Sequence, residues 1–370
     1  MVLCRPPHKV QQDPIIFGSI CTGLATCFFA SERVARANPA IQPMHALACD
    51  SDPMSQRFVV QNFPRAAFFN CVLAERFSTD APIVDVCCAG FACQPFSIRG
   101  RQRGLSDGRS SVIGAILRYV ASRQPKLVIL ENVMGLLHLF PRVCWGICER
   151  LRQQGYEVNL RILDSWRYGA VPQSRTRLYI LAVRRDVLGG RDAAAAWRSL
   201  REIPPPRLRD ILDPPLTGEG PRPPRPAQGR LRAGSRFGSS ELPKSAFSKV
   251  RVARSTLRAF GIDMGACDAV VDCDGILGEV SVGRIPCVTR SRARSGGFWL
   301  LERGRMMGVP ELLRAQGFDD ARVFERGALS PEEVAPMVGN AFTESVIARL
   351  LCKGLPLAGL SGALVDPYDP

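Results

Sequence analysis

From Pro14 to about Arg185, short apolar runs alternate with helical patterns, and nothing else in the chain restricts its fold as much. The runs are IIFGSI, HALACD, IVDVCCAG, LVILENV, YEVNLRILD and RLYILAV, with a helix from about Leu24 after the first. Continuously apolar strands are those covered on both faces, and strand–helix alternation builds a mostly parallel sheet with crossover helices. The expected class is therefore α/β, an open sheet with helices on both faces. In such sheets, ligands and catalytic groups gather beyond the carboxyl ends of the strands.

The pattern breaks after Asp186. Pro204-Pro205-Pro206, Asp213-Pro214-Pro215 and the segment Pro221 to Pro226 interrupt any regular element, and arginines recur at Arg251, Arg254, Arg284, Arg290, Arg292 and Arg294. Pro331 to Leu351 is again helical and apolar. The division expected is a catalytic and cofactor-binding domain over 1–186, completed by 331–370, and a smaller loop-rich domain over 187–330. No internal repeat is visible.

At 370 residues the chain can bury a full core in two domains. A formal charge of +15 predicts a polyanionic partner. Lysine is confined to Lys9, Lys126, Lys244, Lys249 and Lys353, so arginine supplies nearly all the positive charge, with planar forks suited to phosphates and base edges. A solvated arginine-rich surface would give the same charge, so charge alone does not name the partner. The 14 cysteines include no C-x-x-C pair, and His8, His45 and His138 are the only histidines, so no metal site is expected. Cysteines in apolar context read as core residues of a protein kept reduced, hence intracellular. No apolar run is long enough for a membrane span, and the N-terminus lacks the apolar core of a signal peptide.

Two strand ends carry the chemistry. IVDVCCAG opens into a turn presenting Cys93, followed by Gln94, Pro95, Phe96 and Ser97, while LVILENV ends in Glu131-Asn132. A thiol facing a carboxylic acid suits attack on an electron-poor ring whose nitrogen is protonated meanwhile. An acid directly after Val-Ile-Leu is expected to be desolvated, which raises its pKa and favours proton donation. Read blandly, Cys93 is one more buried cysteine and Glu131 a cap or ion-pair partner. The first strand and turn, Phe17 to Gly23, and the acid Asp50 after the second strand have the arrangement that holds an adenosine, the carboxylate taking ribose hydroxyls. An ordinary strand–turn–helix reads the same way. In Gln173-Ser174-Arg175-Thr176-Arg177, strand alternation puts Gln173, Arg175 and Arg177 on one side, as a clamp for an oxygen or as a solvated edge.

In this order the chain resembles the DNA (cytosine-5)-methyltransferases, over roughly Pro14 to Leu350. AGFACQPFSIRGRQRGLSDGR is similar to the family's nucleophile segment, and Glu131-Asn132-Val133 to its second catalytic motif. Gln173 to Arg177 fits the glutamine-x-arginine-x-arginine motif. Arg314-Ala315-Gln316-Gly317-Phe318 resembles the motif that follows the recognition domain, and Gly339-Asn340-Ala341 the closing glycine-asparagine motif.

The resemblance implies a Rossmann-like S-adenosylmethionine methyltransferase sheet plus a target-recognition domain, and base flipping of a cytosine in double-stranded DNA. It implies that Cys93 adds to C6, that Glu131 bonds N3 and the exocyclic amine, and that Arg177 holds O2 with Arg175 assisting. S-adenosylmethionine is the implied cofactor, at Phe17, Ser19, Cys21, Gly23, Asp50, Ser51, Asn70, Gly90, Asn340 and Ala341. Gln94, Ser97, Arg99, Arg103, Gln173, Arg290, Arg292 and Arg294 are the implied substrate and DNA contacts. A monomer is expected, in the nucleus of a eukaryote or in the cytoplasm and nucleoid of a bacterium. Ala92 replaces the family's usual proline before the nucleophile, and Ile20 and Thr22 stand where the first motif has glycines. Two alternatives stay open: a transfer-RNA cytosine-5 methyltransferase, and an inactive member that only binds DNA.

Overall fold

The computed structural model describes residues 13–91, 111–215, 225–226, 237–242, 244–265, 267–275, 279–295, 297–327 and 329–369, of which 225, 226, 244 and 245 are described in backbone only. Its main sheet uses seven strands: β1 (Ile15–Ile20), β2 (Pro43–Cys49), β3 (Ala67–Phe69), β4 (Val86–Ala89), β5 (Leu127–Val133), β6 (Tyr156–Asp164) and β7 (Thr176–Arg184). They lie in the order β3-β2-β1-β4-β5-β7-β6. The pairs β1–β2, β2–β3, β1–β4 and β4–β5 are parallel, and β7 runs antiparallel between β5 and β6. The order therefore reverses direction between β1 and β4, the place where open α/β sheets form their binding crevice.

Strand alternation explains the two cores. Val86 and Cys88 of β4, Leu127 and Ile129 of β5, and Tyr179, Leu181 and Val183 of β7 face one cluster. Cys87 and Ala89, Val128 and Leu130, and Leu178, Ile180 and Ala182 face the other. Both faces are thus buried, which is why these segments read as unbroken apolar runs. The first cluster is closed by helices α1 (Thr26–Ala37), α12 (Val309–Ala315), α14 (Pro331–Asn340) and α15 (Glu344–Leu357), the second by α4 (Ser111–Arg123) and α6 (Pro141–Gln153).

A second, antiparallel sheet has the order β11-β10-β12-β13, from β10 (Ala269–Asp272), β11 (Val280–Val282), β12 (Phe298–Leu300) and β13 (Arg305–Met306). With α10 (Lys244–Ala259) it surrounds its own core of Leu242, Val250, Leu257, Val271, Trp299 and Leu301. Short helix α11 (Arg290–Ser295) joins this unit to α14. Gly339 makes that joint possible: a Cβ there would lie 2.2 Å from the Thr289 carbonyl carbon and 2.3 Å from the Arg290 nitrogen.

Three features depart from the sequence reading. The short strand β3 was not foreseen, because three residues are too few to show a period. Glu131 does not end its strand: β5 continues to Val133, since β7 pairs antiparallel along its whole length, Glu131 opposite Tyr179 and Val133 opposite Arg177. Gln173 does not belong to β7, which begins at Thr176; it makes a parallel bridge to Ile285 instead. No helix of the described residues is long and apolar enough to cross a membrane.

Candidate active site

Pairing of β5 with β7 builds the centre. Alternation sends Glu131 to the same face as Ile129, and Arg177 to the same face as Tyr179, so the carboxylate and the guanidinium meet across two neighbouring strands. Arg177 Nε is 3.1 Å from Glu131 Oε1, and Arg175 Nη2 is 4.0 Å away. Glu131 is 8% exposed and Arg175 4%, so the ion pair is nearly dry. Burial pulls the Arg177 guanidinium down, but Cys287 and Glu131 beside it more than offset this and hold it charged. Apart from that ion pair, Glu131 Oε1 and Arg175 Nε are buried without a hydrogen bond among the described residues. In a folded protein such atoms call for a ligand or water.

Arg175 also fixes the surroundings. Its Nη1 donates to the Val288 carbonyl at 2.8 Å and its Nη2 to the Ala341 carbonyl at 2.8 Å. It therefore ties β7 to the end of α14 and to the segment entering α11. Asn132, on the opposite face of β5, donates from Nδ2 to the Phe91 carbonyl at 3.1 Å. That bond fixes Phe91, two positions before Cys93 in the sequence. Cys93, Gln94, Ser97, Arg99 and Arg103 themselves lie outside the described residues.

Beyond β1 and β2 lies a second group of polar atoms. Asp50 Oδ2 accepts from the Gly23 amide at 2.8 Å and Oδ1 from the Asp52 amide at 2.9 Å. Burial pushes the Asp50 carboxyl up, against the pull of those amides. A carboxylate offers about four acceptor positions, more than these amides fill, so it can still accept from a ligand's hydroxyl. The turn between β1 and α1 holds three residues in the left-handed region, Cys21 at φ 55°, Gly23 at 50° and Ala25 at 53°. The glycine-type path is thus kept with only one glycine. Ser51 and Asn70 stand exposed after β2 and β3, beside Asp50. Gly90, at the end of β4, faces Phe342: a Cβ there would lie 2.5 Å from the ring. Asn340 is exposed at the end of α14, and Ala341 is buried with its carbonyl on Arg175.

The structure places several of the sequence-derived site residues inside the protein. Phe17 and Ser19 are interior residues of β1, at 0% and 3% exposure, because the strand runs on to Ile20 and the turn starts only at Cys21. Gln173 is fully buried and spends its amide inside the protein, donating to the Ala315 carbonyl at 2.8 Å and Gln316 Oε1 at 3.1 Å, and accepting from the Val288 amide at 2.8 Å. Arg292 is buried against Asp272 and donates to the Cys287 carbonyl at 3.1 Å, so it holds its own domain together. Arg294 is exposed, and Arg290 is exposed with its guanidinium 3.8 Å from Asp52.

Sequence reasoning gave no structural part to Asn132, Gln316, Thr343, Phe342 or Cys287. Gln316 donates to the Val338 carbonyl at 2.9 Å and accepts from Thr343 Oγ1 at 3.2 Å, extending the Gln173 network. A buried glutamine between Ala315 and Gly317 was the visible signal. Gly317 is there for conformation and space: φ is 85°, and a Cβ would sit 2.8 Å from Ser345 Oγ. No cluster of three or more side chains suited to a metal occurs among the described residues.

The sheet order and both sites define a Rossmann-like fold with a polar crevice at its switch point. The fold is shared with an Entamoeba histolytica methyltransferase, EhMeth, at TM-score 0.60 and 16% identity over 93% of this chain and 98% of that one. It is shared equally with the S. pombe Dnmt2 methyltransferase, at TM-score 0.60 and 17% identity over 92% and 98%. Residues 41–213 match the family of C-5 cytosine-specific DNA methylases. Among relatives, the Type II methyltransferase M.BanI of Aneurinibacillus aneurinilyticus is 41% identical over 106 residues, 28% of this chain and 24% of that protein. The Type II methyltransferase M.HhaI of Haemophilus parahaemolyticus is 35% identical over 107 residues, 29% and 32% respectively. These matches span about a quarter to a third of the relatives' own length.

Proposed function

We propose that this chain is a DNA (cytosine-5)-methyltransferase that acts on a cytosine flipped out of duplex DNA. The observation that carries the reading is the dry Glu131–Arg177–Arg175 cluster, with an unsatisfied polar atom, on strands next to β4, whose sequence continues to Cys93. A stacked base cannot be attacked on its face, which is why the base must leave the duplex. Cys93 adds as thiolate to C6 of the ring. Glu131 accepts from the exocyclic amine and holds a proton at N3, so the charge created by addition is compensated where it forms. Arg177 donates to O2, and Arg175 keeps both partners in place through its bonds to Val288 and Ala341.

The cofactor read from the resemblance is S-adenosylmethionine, and the residues present fit it. Asp50 offers an acceptor position to a ribose, and the Cys21–Ala25 turn leaves backbone beside it. Gly90 and Phe342 shape the floor of the crevice between β1 and β4. When bound there the cofactor supplies an electrophilic methyl group. Residues 187–330, with exposed Arg290 and Arg294, are assigned to target recognition and phosphate contact. The reading assigns the reaction to a single chain.

The test is transfer of tritiated methyl from S-adenosylmethionine to duplex DNA and to bulk transfer RNA, with wild type and Cys93→Ser. Label at C5 of cytosine in DNA, lost in the variant, is the expected result. Label confined to RNA would move the chain to the transfer-RNA branch. Absence of label in both, with cofactor binding also absent by calorimetry, would leave it a DNA-binding protein.

A further inference from the structure

One thiol in this crevice has no part in the reaction above. Cys287 lies in the segment that returns from the second domain to the sheet, fixed by the Ile285 amide on the Pro172 carbonyl at 2.7 Å and by the Val288 amide on Gln173. Its Sγ lies 3.4 Å from Arg177 Nη2 and 3.6 Å from Arg175 Nη1. Arg292, from α11, reaches the Cys287 carbonyl at 3.1 Å. Three guanidinium groups therefore face this residue, and the one carboxylate in the group, Glu131, is already engaged by Arg177. Burial raises the thiol, yet Arg177 and Arg175, with Arg292, hold it below the ordinary thiol value.

No other described cysteine has this environment. Cys27, Cys49, Cys87, Cys88, Cys144, Cys148, Cys273 and Cys352 are buried, whereas Cys287 is half-buried. Cys21 and Cys267 are also half-buried, but burial and then Asp50 push Cys21 up to about 12, and burial pushes Cys267 up. Cys71 is exposed. A second observation points to a ligand beside it: Arg175 Nε, in the guanidinium whose Nη1 lies 3.6 Å from Cys287 Sγ, is buried and lacks a hydrogen-bond partner among the described residues.

We propose that Cys287 is a second reactive thiolate of the crevice and a modification site for small anionic disulfides of the glutathione class. Two guanidinium groups stabilise the thiolate and attract the carboxylates of such a disulfide. The Cys287 sulfur attacks one sulfur of the disulfide; its S–S bond breaks, a mixed disulfide forms, and the other half leaves as a thiolate that takes a proton from water. A reducing thiol reverses the step. The proposal does not depend on the methyl-transfer reading, since its readout is covalent occupancy of one side chain.

The experiment treats the full wild-type chain with oxidised glutathione near neutral pH and follows each cysteine by peptide mass. Cys287 is expected to gain the glutathionyl group about tenfold faster than exposed Cys71, and to lose it to dithiothreitol. Arg177→Gln is expected to bring the Cys287 rate down toward that of Cys71, whose own rate does not change. Modification of Cys71 ahead of Cys287, or a Cys287 that stays unmodified, overturns the proposal. Whatever happens at Cys93 is read separately and does not enter the ratio.

Discussion

Glu131 shows how much one residue's chemistry depends on what stands opposite it. Its carboxylate lies between Arg177 at 3.1 Å and Arg175 at 4.0 Å in a nearly dry pocket. Glu131→Gln keeps the shape, removes the charge and leaves a neutral amide beside two guanidinium groups. Single-turnover methyl transfer should slow by about two to four orders of magnitude, the scale of acid–base assistance, while DNA binding persists. An unchanged single-turnover rate would take Glu131 out of the reaction.

His45 is a second case at this scale. It stacks on Phe28 at 4.4 Å and lies edge-on to Phe63 at 4.9 Å. Burial, with Arg322 adding to it, pushes it down to about 4. The unfolded chain, with His near 6.5, therefore binds the proton first, and stability falls as pH drops from about 6.5 to about 4. His45→Leu should remove that slope, on the order of 2–3 kcal/mol across the window. Urea unfolding of both proteins at pH 7 and pH 4.5 measures it, and equal acid loss in the two would contradict the assignment.

Among elements, the joint between α11 and α14 shows what a motif is for. Gly339 lets the Thr289–Arg290 backbone approach where no side chain fits, and both facing atoms are backbone that cannot rotate away. Gly339→Ala should cost about 1–3 kcal/mol through overpacking, and should also disturb Arg175, whose bonds run to Val288 and Ala341 on the two sides of that joint. Urea unfolding together with methyl transfer would show both effects. A stable, fully active variant would mean that the two helices can separate freely. The strands β1, β4, β5 and β7 were legible because burial on both faces gives runs that need no alternation to be seen. The antiparallel setting of β7 was not legible, because its residues look the same in either direction. Gln173 was misread for the related reason that a period-2 pattern cannot show where a strand begins.

For the whole molecule, the +15 charge acts beyond any single contact. It is what remains of 49 lysines and arginines after 34 acids are set against them; among the paired ones, Arg33 meets Glu344, Arg305 Glu311, Arg349 Asp366 and Arg292 Asp272. The remaining exposed arginines should make DNA binding strongly salt-dependent, with log K falling linearly against log salt as counterions are released. A titration of duplex affinity against salt reads the slope directly, and a flat response would mean that the exposed arginines do not meet phosphate.

The sequence by itself determined the alternation of strands and helices, the order of the motifs that resemble the cytosine-5 methyltransferases and the basic character of the chain. All of these follow from short-range periodicity, local burial and composition. Only the tertiary structure decided which polar residues are tools and which are joints. Phe17 and Ser19 fall inside the core, Gln173 and Arg292 are consumed by internal bonds, and Cys287 arrives beside Arg177 from a segment 110 positions away. Those outcomes depend on the register of strands remote in sequence and on which buried donors find acceptors. That is set by the packing of the whole chain and has no local signature.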